Sequence, residues 1–375
     1  MKKKIVVLGA GQVGRTIAID LCSDYDVVSA DINKENLELL KSSHPVSTVC
    51  TDLGNSSEIS KVIADADLVI GAVPGFMGFE MVKTVIGSGK NIVDISFFNE
   101  DIFLLDDLAK QKKVTAVMDC GVAPGMDNII LGYYNQRMEV DFFECLVGGL
   151  PVARNWPYEY KAPFSPIDVI AEYTRPARFV RDGKVVTRPA LSDAEIIDFP
   201  EVGKLEAFNT DGLRSLIHTM KVPDMIERTL RYPGHIELMK VLRETGFFSD
   251  EAVDVKGLKV RPLDVTSKLL FPKWKLEKGE EEFTLMRITV RGKKDGKKKE
   301  YVYHLLDRYD KETNTPSMSR STGYTCTAVA RLVIEKKYTR AGISPPEYVG
   351  EDEGCFQSVL DYLAERKVHY RLTEN

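Results

Sequence analysis

Several things are missing from this sequence, and each absence closes off a class of protein. No apolar stretch among its 375 residues is long enough to cross a bilayer, so no membrane-spanning helix is expected. The six cysteines (Cys22, Cys50, Cys120, Cys145, Cys326 and Cys355) lie far apart with no C-x-x-C pair, which sets aside a zinc or disulfide framework and suits a reduced, cytoplasmic chain. No structural metal is expected. An excess of positive charge is also lacking: 51 Lys and Arg stand against 56 Asp and Glu, a net charge of -5, which argues against nucleic-acid phosphates as the partner. Neither an internal repeat nor a low-complexity tract is visible. What is there, 43% hydrophobic and 29% charged residues, is the profile of a globular protein with a small-molecule partner, and the length suits two domains.

The opening Lys2-Lys3-Lys4 followed by Ile5 to Leu8 imitates a secretory signal, but Gly9, Gly11, Gln12 and Gly14 break the apolar run at once. It reads as a buried strand entering a glycine turn. Short apolar runs then alternate with helical patterns: strands at Lys4 to Gly9, Asp26 to Ala30, Val46 to Cys50, Leu68 to Ala72, Asn91 to Ile95 and Val114 to Met118, with helices beginning near Gln12, Lys34, Ser57, Phe76 and Asp101. The runs are mostly continuous and not alternating, so both sheet faces should be covered by helices. The expected fold class is α/β, an N-terminal Rossmann domain with a six-stranded, doubly wound parallel sheet over residues 1–122.

After Cys120 the pattern changes to longer alternating segments, Val140 to Val147 and Phe283 to Val290. Asp182-Gly183 and Asp295-Gly296 announce two hairpins, because Asp-Gly tolerates the positive φ angles of tight turns. Residues 123–320 should therefore form an α+β substrate domain with a mixed or antiparallel sheet. The basic run Lys293 to Lys299 sits on the second hairpin as a solvated tip. Helical patterns at Gly323 to Lys337 and Phe356 to Arg366 place C-terminal helices in about 321–375, available to pack back onto the first domain.

Gly9-Ala10-Gly11-Gln12-Val13-Gly14 matches G-x-G-x-x-G directly after a strand and at the start of a helix, and a second strand ends at Asp31 about 20 residues on. Gly9 would permit the turn, Gly11 the approach of a diphosphate, and Gly14 close helix packing, while the helix start offers N–H groups and a positive dipole end. A carboxylate at Asp31 selects NAD over NADP by accepting the ribose hydroxyls, although Lys34 lies nearby and Asp31 would also serve as a plain helix cap. Other strand ends should line the same crevice: Asp52 beside the adenine, Ala72, Val73 and Pro74 under the nicotinamide half, and Asp94 with Ser96 facing the reaction zone. The plainer readings are a turn for Asp94 and a helix N-cap for Ser96.

The chain resembles the saccharopine dehydrogenase-like superfamily, and within it is most similar to the lysine 6-dehydrogenase family. The resemblance is carried by Gly9 to Gly14, Cys120 to Met126, Val147 to Pro151, Glu172 to Arg178, Asn209 to Leu213 and Thr229 to His235. Saccharopine-forming members usually carry Asp before the Pro-Gly of the domain-crossing loop, where this chain has Ala123, and the chain looks shorter than they are. The resemblance thus implies oxidation of the side-chain amine of L-lysine or a close analogue with NAD, to a semialdehyde and ammonia, with Gly125 of the crossing loop on the substrate side. It leaves open a reductase joining an amine to a carbonyl partner, of saccharopine or carboxynorspermidine type. A binding protein that senses NAD(H) without turnover is the reading from another class.

Amine oxidation needs a proton acceptor with a pKa near the working pH. His235, one of five histidines, is the first candidate, with Asp94 and Asp119 behind it. The plainer reading of His235 is a helix N-terminal residue bonded to its own backbone. A substrate carboxylate calls for arginine: Arg231 by motif, with Arg175, Arg228 and Arg320 as alternatives, each of which also suits an ordinary ion pair. Asp127 and Glu172 are candidates for the α-amino group. A homodimer or higher homo-oligomer built through the second domain's sheet is expected.

Overall fold

Ile5, Val6, Val7 and Leu8 have no exposed surface. In the computed structural model, which describes residues 2–375, they form the centre of β1 (Lys4–Leu8), a strand covered on both faces. The chain continues through α1 (Gln12–Leu21), β2 (Asp26–Asp31), α2 (Lys34–Ser43), β3 (Ser47–Cys50), α3 (Ser56–Val62), β4 (Leu68–Gly71), α4 (Gly75–Gly87), β5 (Ile92–Asp94), α5 (Asp106–Lys112), β6 (Thr115–Val117) and α6 (Met126–Asn135). All six expected strands form. The helix expected from Asp101 starts later: Asp101 caps a 3-10 turn, Ile102–Leu105, and α5 follows it. Val6, Leu8, Val69 and Ile92 pack with Ile59, Met81 and Val85 in one core, each fully buried aliphatic side chain contributing roughly 1.5–3 kcal/mol.

The middle of the chain builds β7 (Glu139–Pro151), α7 (Pro166–Thr174), β8 (Ala177–Arg181), β9 (Lys184–Arg188), β10 (Glu195–Phe199), β11 (Gly203–Asn209), α8 (Leu216–Thr219), β12 (Asp224–Arg231) and α9 (His235–Glu244). A small hairpin, β13 (Val253–Val255) and β14 (Leu258–Val260), precedes α10 (Pro262–Trp274), β15 (Glu282–Lys294) and β16 (Lys297–Arg308). The main sheet is mixed: β12 runs parallel to β7, while β11 with β12 and β15 with β16 are antiparallel. Both Asp-Gly turns close hairpins, with φ of 48° and 70° at Asp182 and Gly183 and 52° and 74° at Asp295 and Gly296. Leu146, Tyr173, Phe208, Leu230 and Trp274 lie in the core of this part.

The last segment contributes α11 (Ser317–Ile334), β17 (Gly342–Ser344), α12 (Pro346–Glu351), α13 (Glu353–Glu365) and β18 (Arg371–Glu374). β17 pairs in parallel with β6, so the first sheet has seven strands in the order β17-β6-β5-β4-β1-β2-β3, and not the six expected. Three residues, Gly-Ile-Ser, carry too little pattern to announce a strand. β18 joins the edge of the second sheet beside β16. The chain divides into one unit of Met1–Glu139 with Met318–Tyr370 and another of Val140–Ser317 with Arg371–Asn375. The first unit thus runs on past residue 122 to Glu139 and includes α6. The reason is α6, which meets α12 almost backbone to backbone: a Cβ on Gly132 would lie 2.0 Å from the Glu347 carbonyl oxygen, and one on Gly350 2.0 Å from that of Ile129. No helix among the described residues is long and apolar enough to cross a membrane.

Candidate active site

In the first unit the strand order reverses between β1 and β4, the position where open α/β sheets leave a crevice. The helices that follow those two strands, α1 and α4, start at Gly11 and Pro74 without a side-chain cap, whereas Asn33 and Asn55 cap α2 and α3. Uncapped first-turn N–H groups are what an anion requires. Gly9 has a φ of 115°, and a Cβ there would lie 2.2 Å from the Ala72 carbonyl oxygen; a Cβ on Gly14 would lie 2.2 Å from that of Gly9. A Cβ on Gly11 would meet nothing within 4 Å. Two glycines are thus required by the protein's own packing, and the third borders open space. Gln12 and Val13 form the first turn of α1 beside that space.

Asp31 ends β2 with its carboxylate folded against this loop: Oδ2 accepts from the Ala10 amide at 2.6 Å and Oδ1 from the Asn33 amide at 2.7 Å. Asn33, and not Asp31, caps α2. Asp52 is exposed and closes a turn with the Gly54 amide at 2.8 Å. Ala72, Val73 and Pro74 connect β4 to α4, with the Ala72 amide bonded to Leu8 at 2.8 Å. Asp94 accepts from the Ser96 amide at 3.0 Å and its hydroxyl at 2.9 Å, so the two residues form a buried turn; Ser96 does not cap a helix. Asp119, just past β6, is 3% exposed with a φ of 54°, a left-handed conformation of the sort that clusters at functional sites. At Gly125 the φ is 143°, and its amide donates to Asp127 Oδ1 at 2.9 Å and Asn128 Oδ1 at 3.1 Å. Burial pushes the Asp127 carboxyl up to about 7, and its Oδ2 has no hydrogen-bond partner.

In the second unit α7, β12 and the start of α9 bring a second group together. Arg231, 2% exposed, donates from Nη2 to Glu172 at 2.8 Å, from Nε to the Tyr173 hydroxyl at 2.9 Å and from Nη1 to the Leu230 carbonyl at 2.9 Å. Its guanidinium lies 4.5 Å from the centre of the Tyr160 ring. His235 is the first residue of α9, with Nδ1 2.8 Å from the Tyr158 carbonyl and Nε2 3.0 Å from the Tyr173 hydroxyl. A carbonyl only accepts, so Nδ1 carries the proton, Nε2 accepts from Tyr173, and the Tyr173 oxygen accepts from Arg231. Trp274 closes the group, its ring centre 5.3 Å from that of Tyr160 and 6.3 Å from that of His235. The backbone partner of His235 comes from the Tyr158 loop and not from its own helix.

Burial, with Arg231 adding to it, pushes His235 down from 6.5 to about 3, and burial pushes Glu172 up despite Arg231. At neutral pH the imidazole is uncharged and its basic nitrogen is occupied, so any proton reaching it would pass through Tyr173. The depressed pKa fixes the sign of a stability effect. The unfolded chain takes up a proton below pH 6.5 and the folded chain does not until about 3, so stability falls with falling pH in that window. Between pH 7 and 5.5 a loss of about 1–2 kcal/mol is expected, measured by urea unfolding and absent from His235→Phe; equal slopes in the two proteins would contradict the assignment.

The remaining arginines go elsewhere. Arg228 donates to Glu195 at 2.8 Å and to the Asp193 carbonyl at 2.6 Å, beside the β10–β11 hairpin. Arg320 lies on α11 in the first unit and donates to the Arg366 carbonyl at 3.0 Å. Arg175 ends α7 near Glu172. Tyr160, Tyr173, Trp274 and Arg214 were not singled out by sequence. The one available signal was the α7 spacing of Asp168, Glu172 and Arg175 on one helix face.

A family model described as the saccharopine dehydrogenase NADP binding domain matches residues 5–117, and one described as the saccharopine dehydrogenase C-terminal domain matches 121–368. The mitochondrial alpha-aminoadipic semialdehyde synthase of Bos taurus is 25% identical over 283 residues, 70% of this chain and 30% of that protein. Saccharopine dehydrogenase [NADP(+), L-glutamate-forming] of Saccharomyces cerevisiae is 24% identical over 273 residues, 68% of this chain and 60% of its own. The chain therefore spans less than two thirds of these relatives. Carboxyaminopropylagmatine dehydrogenase of Synechocystis is 22% identical over 377 aligned residues, 93% of both chains. A solved structure of the S. cerevisiae saccharopine dehydrogenase (L-Glu forming) has a TM-score of 0.79 at 19% identity, covering 100% of both chains, which is a likeness of fold.

Proposed function

Because the chain belongs to the saccharopine dehydrogenase family, we propose that it is a pyridine-nucleotide-dependent oxidoreductase acting on an amine, and that it deaminates the side chain of L-lysine or a close analogue with NAD. The observation that carries the first half is the pair of uncapped helix starts at the β1–β4 reversal, with Gly11 facing open space. A diphosphate fits there: Gln12 to Gly14 supply amides, and the dipole of α1 favours negative charge. When bound, the nicotinamide supplies the acceptor for the hydride leaving the amine-bearing carbon. The preference for NAD rests on Asp31, whose carboxylate beside Ala10 would accept ribose hydroxyls and repel a 2'-phosphate. The family model and the yeast relative carry NADP in their names, so both dinucleotides belong in the assay.

Of the groups in the second unit, Glu172 is the better proton acceptor than His235. Burial moves its pKa upward from 4.5, its side chain is 19% exposed, and Arg231 fixes its orientation. It would take the proton of the substrate ammonium, leaving the neutral amine that can release a hydride; water then hydrolyses the imine to aldehyde and ammonia. Glu172→Gln is expected to lower kcat roughly 10²–10⁴-fold. In the unaltered enzyme, kcat/KM is expected to fall as pH drops through the raised pKa of Glu172.

The test is a spectrophotometric screen of the pure protein with NAD or NADP and a panel of amines, read at the NADH band. Reduction with L-lysine supports the proposal, and a flat trace across the panel sinks it. The near full-length match to carboxyaminopropylagmatine dehydrogenase favours a second reading, a reductase that joins an amine to a carbonyl. That enzyme would consume NAD(P)H only with both partners present. A sensor would bind NADH and turn over nothing.

A further inference from the structure

Large apolar side chains are exposed here and there on any folded chain, and singly they mean little. In this one they gather. Of the 18 exposed among the described residues, eight lie between Leu238 and Leu269, a stretch that is less than a tenth of the chain. On α9, Val241 is 60% exposed, and Leu238 lies three residues before it on the same side of the helix. On α10, Val265 and Leu269 are four residues apart and form a second exposed row, with Leu269 69% exposed. Thr266 holds that helix to the turn after α9, its hydroxyl donating to the Phe247 carbonyl at 2.7 Å, and the Phe247 ring is half exposed.

The chain between the two helices forms the β13–β14 hairpin. Its turn is Lys256-Gly257, with φ of 53° and 85°, and its register sets Val253 opposite Val260 and Val255 opposite Leu258. Residues opposite one another, and residues two apart on a strand, share a face. These four therefore make one side of the ribbon wholly apolar, while Asp254 and Lys259 occupy the other. Yet Val253, Val255 and Leu258 are exposed, Leu258 at 70%. The hairpin joins no other strand among the described residues. A two-stranded ribbon is marginal by itself in water, so one that keeps an apolar side needs a surface to lay it on.

Charge and area identify that surface. From Glu237 to Leu269 the chain carries six acidic and six basic residues, so this region is neutral in a protein of net charge -5. An anionic lipid surface or a nucleic acid calls for a basic excess, and a strongly charged protein partner for an excess of the opposite sign. A second copy of the same neutral surface meets no repulsion. The eight side chains together leave on the order of 800 Å² open, which is what each partner contributes to a standard specific interface. We propose that two copies of this chain pair about a twofold axis, each laying the apolar side of its β13–β14 hairpin on the Val265–Leu269 row of α10 in the other. The exchange is reciprocal, as a twofold interface requires, and it builds the homo-oligomer expected from sequence through this hairpin and not through the main sheet. It is independent of which amine the enzyme takes.

Sedimentation velocity of the full chain tests this. The unaltered protein is expected to run as a dimer at micromolar concentration. Leu258→Lys and Leu269→Glu change exposed side chains on separate elements, and circular dichroism checks the fold of each; should one fail to fold, the other still decides. Each is expected to weaken the dimer about 100-fold or more, because every change enters a twofold interface twice. Combined in one chain, the two changes put opposite charges against each other at both contacts, and the double variant is expected to regain about tenfold of the loss. A monomeric unaltered chain, including one that sediments with phosphatidylcholine vesicles instead, would overturn the proposal. So would a dimer that the single changes leave within twofold of its original affinity. A double variant no better than the single ones would show that the hairpin does not lie on α10, and would overturn it as well.

Discussion

Arg231→Ala is expected to cost the protein about 3–5 kcal/mol of stability, because it leaves a largely buried carboxylate without the guanidinium bonded to it. Arg231 is bonded to Glu172, to the Tyr173 hydroxyl and to the Leu230 carbonyl, and it lies over the Tyr160 ring. Removing it strips the Tyr173 oxygen of a donor and Glu172 of its partner together. The penalty belongs to the abandoned partner and not to the pair as such, so replacing both ends, Arg231→Met with Glu172→Leu, should recover most of the loss. Urea unfolding of the two proteins beside the unaltered chain measures it. A loss below about 1 kcal/mol in the single variant would show that Glu172 finds another cation or water, and the account of the cluster would fall.

The second large effect separates two glycines three residues apart. Gly14→Ala places a Cβ 2.2 Å from the Gly9 carbonyl oxygen, and backbone must move to admit it, so a destabilisation of about 1–3 kcal/mol is expected. Gly11→Val meets nothing within 4 Å, and the backbone there is extended with a φ of -64°, so the melting temperature should hold. Its side chain nevertheless fills the space beside the first turn of α1. Dinucleotide affinity is expected to drop roughly 100-fold, the worth of one or two lost hydrogen bonds to a charged group. Calorimetry with NAD and NADP, paired with thermal melts, checks both. An intact affinity in Gly11→Val would remove the diphosphate from that place.

Local features of the chain were readable from sequence to the extent that their causes are local. The six strands from Lys4 to Val117 are apolar runs bounded by breakers, and none of their ends moved by more than one residue. Both Asp-Gly hairpins follow from backbone conformations that this dipeptide favours. β17 was hidden because Gly342, Ile343 and Ser344 become a strand only by lying against Thr115 to Val117. The second unit's polar group was half visible: Arg231 and His235 stood out by motif, but their chemistry is set by the Tyr158 carbonyl and Tyr173, which distant segments supply. The pKa of about 3 at His235 is a product of burial, and burial is invisible in a string of letters. Arg214 was missed for a similar reason, since its burial and its left-handed backbone exist only in the folded chain.

The order in which the two sheets are completed bears on how the chain is made. β17 supplies the outer strand beside β6, and β18 the outer strand beside β16, although each sheet is otherwise built from residues that come earlier. During synthesis, therefore, both sheets would form with an open rim, and β17 and then β18 would seal the two in succession. Until then β6 and β16 offer unpaired backbone to any neighbouring nascent chain, which makes that interval a period of hazard for aggregation and a natural moment for a chaperone to act.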